Sequence, residues 1–225
     1  CIHVHDENLL PFLGRVQSHS LLTLHFEYKT RDGKINFWDP VMHPKILETN
    51  TTLVGISRKQ QEDFKKAGYP VEHVVYHGIE VEQFPFSPNR LEYLLSLGRI
   101  TYVKGQHTVI QVGKKLGLDV ILAGNIEDST YFKERIEPHI THNVSAKKDK
   151  LVAYLSLPGT SGSRVVYTGI VNDVQKKPLY AHAKAFLMPI LWEEPFGLVL
   201  IEALAGGTPV VTFNRGSAPE IVADK

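Results

Sequence analysis

The sequence predicts an α/β protein built on parallel, doubly wound sheets. Two observations lead there. Short apolar runs, several closed by glycine, alternate along most of the chain with longer segments of helical character. Strands that alternate with helices pair in parallel, because the helices serve as crossovers. The chain also holds two such series, separated by a stiff polar connector that carries Pro85, Ser87, Pro88 and Asn89. Residues 1–88 are therefore expected to form one domain and residues 89–225 a second, hinged at that connector.

Bulk properties narrow the class. The 225 residues are enough for two small domains with cores. Hydrophobic content of 43% and charged content of 22% suit a globular chain and exclude a disordered one. A net charge of +1 gives no argument for nucleic acid or an acidic membrane surface. No apolar run approaches a membrane span and no signal peptide is visible. The single cysteine, Cys1, excludes an internal disulfide framework and fits a reducing compartment. A cytoplasmic protein is expected, with room for peripheral membrane attachment in a full-length form. The chain starts without methionine on a strand and stops inside a segment that ought to continue, so a fragment lacking both ends is expected.

In order, Ile2 to His5 reads as a strand that projects His3 and His5 to one face, with Asp6 at its end. Leu21 to Leu24 is the next strand, and His25 stands just past it. Phe26 to Met42 reads as a polar mobile loop, a candidate acceptor lid. Leu53 to Ile56 is a third strand. Ser57 then caps a helix that runs to about Ala67 and ends at Gly68, and Gln60 completes a capping box. Val74 to Tyr76 is a fourth strand, followed by His77-Gly78-Ile79.

The second series opens with a strand at Leu94 to Leu97, then Gly98-Arg99, Lys104-Gly105 and a helix from Gln106 to Leu116. Asp119 to Ala123 is a strand closed by Gly124, and a helix follows around Tyr131 to Ile136. His139 to Arg164, with three lysines and a Pro-Gly-Thr-Ser-Gly-Ser run, reads as an exposed insertion. Val165 to Thr168 is a strand ending at Gly169, Leu179 to Ala185 a short helix, and Phe186 to Pro189 a strand.

The stretch Glu193 to Val211 carries the strongest chemical signal. Glu194 precedes Pro195 and is pushed out of helical conformation. Pro195, Phe196 and Gly197 lead into an apolar helix, Leu198 to Ala205, which Gly206 and Gly207 stop. Thr208-Pro209 launches a strand at Val210 to Phe213. Glu202 sits inside the apolar helix, where an unpaired carboxylate costs several kcal/mol. Either it is a core glutamate paired with a basic residue, or it faces a pocket and accepts from ligand hydroxyls. The free amides of Phe196, Gly197 and Leu198 suit a phosphate. Arg99 and Lys104, just past a strand, are either phosphate ligands or solvated cations flanking a turn.

The segment E-P-F-G-L-V-L-I-E, followed by A-G-G-T-P-V, resembles the signature of retaining glycosyltransferases of the GT-B fold, in particular family 4. G-R-I-T-Y-V-K-G resembles that family's G-R-x4-K-G, Thr23-Leu24-His25 its T-x-H, and His77-Gly78-Ile79 with Phe84 its H-G-I-D…F segment. The resemblance implies two Rossmann-like doubly wound domains facing across a cleft, here with an incomplete N-terminal domain. It implies transfer of a sugar from a nucleotide-diphosphate-sugar, a UDP- or GDP-sugar, to a glycan, lipid or small-molecule acceptor. It assigns His25 and Glu194 to the donor sugar, and Glu202 to the ribose. Arg99, Lys104, Phe196, Gly197 and Leu198 go to the phosphates, and the backbone of Gly169, Ile170 and Val171 to the base. His3, His5 and Asp6 fall on the acceptor side. No D-x-D occurs in the chain, so no metal and no cofactor are expected, the fixed cations taking the metal's role. A non-catalytic nucleotide-sugar binder and a sugar-nucleotide epimerase on the same fold are the alternatives. A dinucleotide-dependent dehydrogenase ranks last, for want of G-x-G-x-x-G after any expected strand.

Overall fold

The computed structural model describes residues 1–6, 9–26, 49–145 and 164–223. The chain forms two compact units. The first comprises Cys1–Gly78, Trp192–Gly197 and Arg215–Lys225; the second comprises Ile79–Leu191 and Leu198–Asn214. The boundary thus lies at Gly78/Ile79, ahead of the expected break after residue 88, and two later segments join the first unit. Side chains of the connector explain the shift, because they are committed to the second unit. The Phe84 ring lies 6.4 Å from that of Tyr180, and Phe86 closes on Gly207. Arg90 donates to the carbonyls of Ala181, Ala183 and Gly207 and to Thr208.

In the first unit β1 (Ile2–Val4), β2 (Ser20–Thr23), β3 (Thr51–Gly55) and β4 (Val71–Val74) pair in that order, all parallel. A short helix, α1 (Leu10–Leu13), follows β1, and α2 (Arg58–Lys66) crosses from β3 to β4. Leu22, Leu24, Leu53, Phe64 and Val71 are fully buried at its core. The fourth strand lies earlier than the expected Val74 to Tyr76. Val71 is the residue that buries against Leu53, whereas Val75 and Tyr76 are exposed past the pairing. The expected loop from Phe26 onward lies, beyond Phe26 itself, outside the described residues.

The cap of α2 is half of what its spacing predicts. Ser57 Oγ accepts from the Gln60 amide, but Gln60 does not return to the cap residue. Its Oε1 accepts from Ile56 N, and its Nε2 donates to the carbonyls of Leu24 and Phe26 at 3.0 and 2.7 Å.

The second unit is a parallel sheet of order β10-β9-β5-β6-β8-β7. Its strands are β5 (Tyr93–Leu97), β6 (Asp119–Ala123), β7 (His142–Asn143), β8 (Val165–Tyr167), β9 (Ala185–Met188) and β10 (Val210–Thr212). The inner strands β5, β6 and β8 are covered on both faces and accordingly read as nearly continuous apolar runs. Helices α3 (Gln106–Leu116), α4 (Ser129–Tyr131, running into a wide turn at Phe132–Ile136), α5 (Asp173–His182) and α6 (Leu198–Ala205) connect them. A last helix, α7 (Ala218–Ile221), returns to the first unit.

Two expectations are corrected here. The helix placed at Leu179 to Ala185 is α5, which begins at Asp173 under a reciprocal capping box of Asn172 and Gln175. Pro178 lies inside it, and a proline argues against helix in the residue before it. The stretch His139 to Arg164 is not wholly an insertion, since β7 forms the sheet edge beside β8. Residues 146–163 lie outside the described residues.

At Gly124 φ is +151°, and a Cβ there would sit 1.8 Å from the Gly98 carbonyl oxygen. At Gly117 φ is +69° with open space around it. Gly124→Ala should therefore destabilise the chain by about 1–3 kcal/mol or more, and by more than Gly117→Ala, in urea denaturation.

Candidate functional site

In the second unit the exits of three adjacent strands are glycines. Gly98 follows β5, Gly124 follows β6 and Gly169, with φ +67°, lies two residues past β8. Gly98 N donates to Ala123 O and Gly124 N to Gly169 O, both at 2.9 Å. The three backbones are thereby laced into one bare edge at the carboxyl ends of the strands, where ligands of open α/β sheets bind.

Arg99 stands on this edge. Its Nη1 donates to both Glu127 oxygens at 2.9 and 2.7 Å, and the pair is half exposed. Lys104 ends a single turn, Tyr102–Lys104, ahead of Gly105. The turn is tied to β9's exit: Leu191 N donates to Val103 O at 2.8 Å, and a Cβ on Gly105 would meet Pro189 O at 2.2 Å. Gln106, at the first position of α3, donates to Arg99 O while its buried Oε1 has no donor among the described residues. Ile170 is exposed past β8 and Val171 partly so.

Glu202 is paired as well as buried. Its Oε1 accepts from Lys176 Nζ at 2.7 Å and its Oε2 from the Tyr180 hydroxyl at 2.9 Å, both donors on α5. Burial alone would lower the Lys176 pKa, but hydrogen bonds to Asp173 and Glu202 more than reverse that. Burial, then the Glu202 charge, push the Tyr180 hydroxyl well above its usual value. The paired reading of Glu202 therefore holds; its own partners leave a ligand contact open.

In the first unit the histidines gather. His3 and His5 project from β1 and just past it, with ring centroids 4.2 Å apart, and Asp6 follows them. His3 Nε2 meets Thr23 Oγ1 at 2.8 Å, and His5 Nδ1 meets His25 Nε2 at 2.9 Å. His25 stacks on His77 at 5.1 Å and 4°, and His77 meets the Phe196 ring edge-on at 5.1 Å. Glu194, in the loop that opens E-P-F-G-L, is buried and accepts from Trp192 Nε1 at 2.9 Å. Its neighbour Glu193 accepts from Gly216 N at 2.8 Å. Phe196 and Gly197 go with this unit, whereas Leu198 opens α6 in the other.

The family model described as glycosyl transferases group 1 matches residues 80–225. The chain belongs to the glycosyl transferases group 1 family. Among curated relatives, the glycogen synthase of Mycobacterium tuberculosis is 27% identical over 242 aligned residues, covering 98% of this chain and 53% of that protein. An O-antigen chain mannosyltransferase B of Escherichia coli is 37% identical over 87 residues, 39% of this chain and 23% of that one. The chain spans about half the length of the glycogen synthase it matches. Among solved structures, HepE of Anabaena, in complex with UDP and glucose, superposes with a TM-score of 0.75 at 22% identity, over 99% of this chain and 61% of that one. Sucrose-phosphate synthase of Thermosynechococcus elongatus gives 0.66 at 20% identity, over 91% and 52%. These likenesses show the fold, which is α/β of the GT-B type.

The group 1 chain thus brings His3, His5 and His25 together in one unit, and Arg99 and Gly169 onto one sheet edge in the other. Sequence reasoning did not find Lys176, Tyr180 or Glu127, and it read Gln60 as a capping residue rather than as the donor to Leu24 O and Phe26 O. Each is tied to its site by long-range contact, and only Gln60 carried a local signal, its capping-box spacing. Among the described residues no helix is long and apolar enough to cross a membrane, and no cluster of three or more His, Cys, Asp or Glu is arranged to hold a metal ion.

The histidine row has a consequence for pH. Burial first, then the charge of neighbouring histidines, lowers the pKa of His25 and of His77 below 6.5. As pH falls, the unfolded chain takes up these protons before the folded chain does, so folding weakens. Stability should be fully present above about pH 6.5 and decline as the pH drops from there through the lower folded values. Urea midpoints across that range should fall, and the fall should be smaller in His77→Phe, which keeps a ring in the stack.

Proposed function

We propose that the protein is a metal-independent retaining glycosyltransferase that moves a sugar from a UDP- or GDP-sugar to a hydroxyl of a glycan, lipid or small-molecule acceptor. The observation that carries this reading is the bare strand edge at Gly98, Gly124 and Gly169 with Arg99 upon it. A nucleoside diphosphate needs close backbone approach and fixed cations, and both are supplied there. Arg99 would exchange Glu127 for phosphate oxygens, with Lys104 adding a second positive charge. HepE, which shares the fold, has been seen with UDP-glucose, which favours uridine as the base. Gly169, Ile170 and Val171 would meet that base through their backbone, and the amides at Phe196 to Leu198 would add to the phosphate site.

In the proposed reaction the bond between the sugar's anomeric carbon and the diphosphate oxygen breaks, and the acceptor oxygen bonds to that carbon on the same face. The acceptor's proton passes to the leaving diphosphate. Arg99 and Lys104 stabilise the charge that accumulates on that group, the part a metal ion plays elsewhere. His25 and Glu194 hold the sugar where charge develops, Glu202 holds the ribose, and His3, His5 and Asp6 border the acceptor. A location in the cytoplasm or at a membrane surface fits such a donor. A nucleotide-sugar binder without turnover would keep the second-unit residues and has no use for His25 and Glu194.

The test is a thermal-shift screen of UDP-, GDP- and ADP-sugars with the full-length protein in excess EDTA, followed by turnover of any stabilising donor. Stabilisation and turnover by one nucleotide class under chelation support the reading, and stabilisation without turnover supports the binder. Arg99→Ala and Lys104→Ala should each lose about 1.5–3 kcal/mol of donor binding by calorimetry; unchanged affinity in both would sink the phosphate assignment.

The two glutamates should separate in kinetics. A contact made equally in ground and transition states moves KM, and one that strengthens in the transition state moves kcat. Glu202→Gln should weaken the bare nucleoside diphosphate, whereas Glu194→Gln should bind it normally and lose turnover. The opposite pattern would show that the two roles are reversed.

A further inference from the structure

We infer that His5 is a positioning residue for His25: its ring nitrogen fixes the orientation and tautomer of the His25 imidazole, leaving Nδ1 of His25 as the atom presented to substrate. The inference rests on the reading of His25 as a sugar-contacting residue and specifies how that residue is made ready.

The main chain at His25 is already held. Gln60, buried on α2, donates from one amide nitrogen to the carbonyls immediately before and after it, Leu24 O and Phe26 O. The freedom that remains is in the side chain. His77 lies parallel to the ring at 5.1 Å and 4°, which limits its tilt but not its rotation in plane; a stacked ring accepts either face and either nitrogen order. The 2.9 Å contact between His5 Nδ1 and His25 Nε2 removes the rotational freedom, because it engages Nε2 and leaves Nδ1. It also links the two tautomers, since one of the bonded nitrogens must carry a proton and the other must not. In a neutral imidazole one nitrogen donates and the other accepts, and the bond at one end decides what the other end offers. His5 is itself seated by its ring contact with His3, which is tied to Thr23 on β2. The alternation of β1 and the register that sets His3 opposite Leu21 bring these rings to the exit of β2.

The row therefore does for His25 what a single buried carboxylate often does for an active-site histidine, but with imidazoles in the carboxylate's place. An imidazole partner adds no fixed negative charge and so does not raise the proton affinity of His25. A group meant to hydrogen-bond a sugar hydroxyl while neutral is better served by such a partner.

The test uses His5→Phe and His5→Asn in the full-length enzyme. Phenylalanine keeps the ring against His3 and lacks the nitrogen, whereas the Asn amide places a polar atom near the Nδ1 position. Nitrogen-15 NMR of the labelled imidazoles reports the His25 tautomer without any need for turnover. The expected result is one dominant His25 tautomer in the parent and in His5→Asn, and a mixture in His5→Phe. In His5→Phe kcat should fall roughly tenfold or more with nucleotide affinity unchanged, and His5→Asn should recover most of it. An unchanged His25 tautomer in His5→Phe, in a protein that still binds nucleotide, overturns the inference. His25→Phe separates the two layers: if it keeps full turnover, the sugar-contact reading fails, while the tautomer measurement still decides whether His5 positions His25.

Discussion

Among the described residues every strand pairing in both sheets is parallel, and the placement of the chemistry follows from that constraint. Parallel strands leave their sheet on the same side, so all the segments that follow a strand collect along one edge of each unit. Inner strands covered on both faces must be apolar, which expels polar chemistry from them to the exits. His5 and Asp6 follow β1, His25 follows β2 and His77 comes after β4. Gly98-Arg99, Gly124 and Gly169 take the corresponding places after β5, β6 and β8. With antiparallel pairing these residues would be split between opposite edges.

The same constraint explains what the sequence makes legible. Helix α3 and strand β6 are read to the residue, and α6 is too: β6 and α6 are apolar runs closed by glycine, and α3 is an amphipathic stretch set between Gly105 and Gly117. Strand β4 is misplaced because local apolar content favours Val75 and Tyr76, whereas pairing favours Val71, which buries against Leu53. The start of α5 is hidden by Pro178. Strand β7 is two polar residues, His142 and Asn143, with no pattern of its own; it exists because β8 offers an edge. At Gln60 the spacing of a capping box is right and half the box is made. The side chain is drawn away because the carbonyls of Leu24 and Phe26, on another strand's exit, need a donor. Long-range demand overrides the local motif.

Glu202 shows why structural pairing and ligand binding need not compete. Each of its oxygens takes one donor from α5. Tyr180, fully buried and raised in pKa, keeps its proton and can only donate to that carboxylate. Lys176 stays charged through Asp173 and Glu202 together. Both carboxylate oxygens are thereby paired inside an apolar helix. An ionised carboxylate has about four acceptor positions, and two donors leave the rest for hydroxyls. The two donors on α5 thus account for the burial of Glu202 without using all of its acceptor positions.

Glu194 is placed by a different route. Its stretch, E-P-F-G-L, is the most informative in the sequence, yet the stretch does not position itself. The loop is braced by the chain's return at Gly216 and Ser217: Ser217 N donates to Glu194 O at 2.9 Å, Ser217 Oγ donates to Phe196 O at 2.6 Å, and Gly216 N donates to the Glu193 carboxylate. Gly216 has φ +55°, and a Cβ there would fall 2.3 Å from Glu194 O, so only glycine lets the two backbones approach this closely. Glu220, three residues past Ser217, extends the brace. Its carboxylate accepts the first two amides of α2, at Arg58 and Lys59, and the Tyr76 hydroxyl. The carboxylate complements the helix dipole where the amides lack partners. Glu194 is therefore held by residues more than twenty positions later in the chain, and the motif is readable locally because its geometry is enforced from elsewhere.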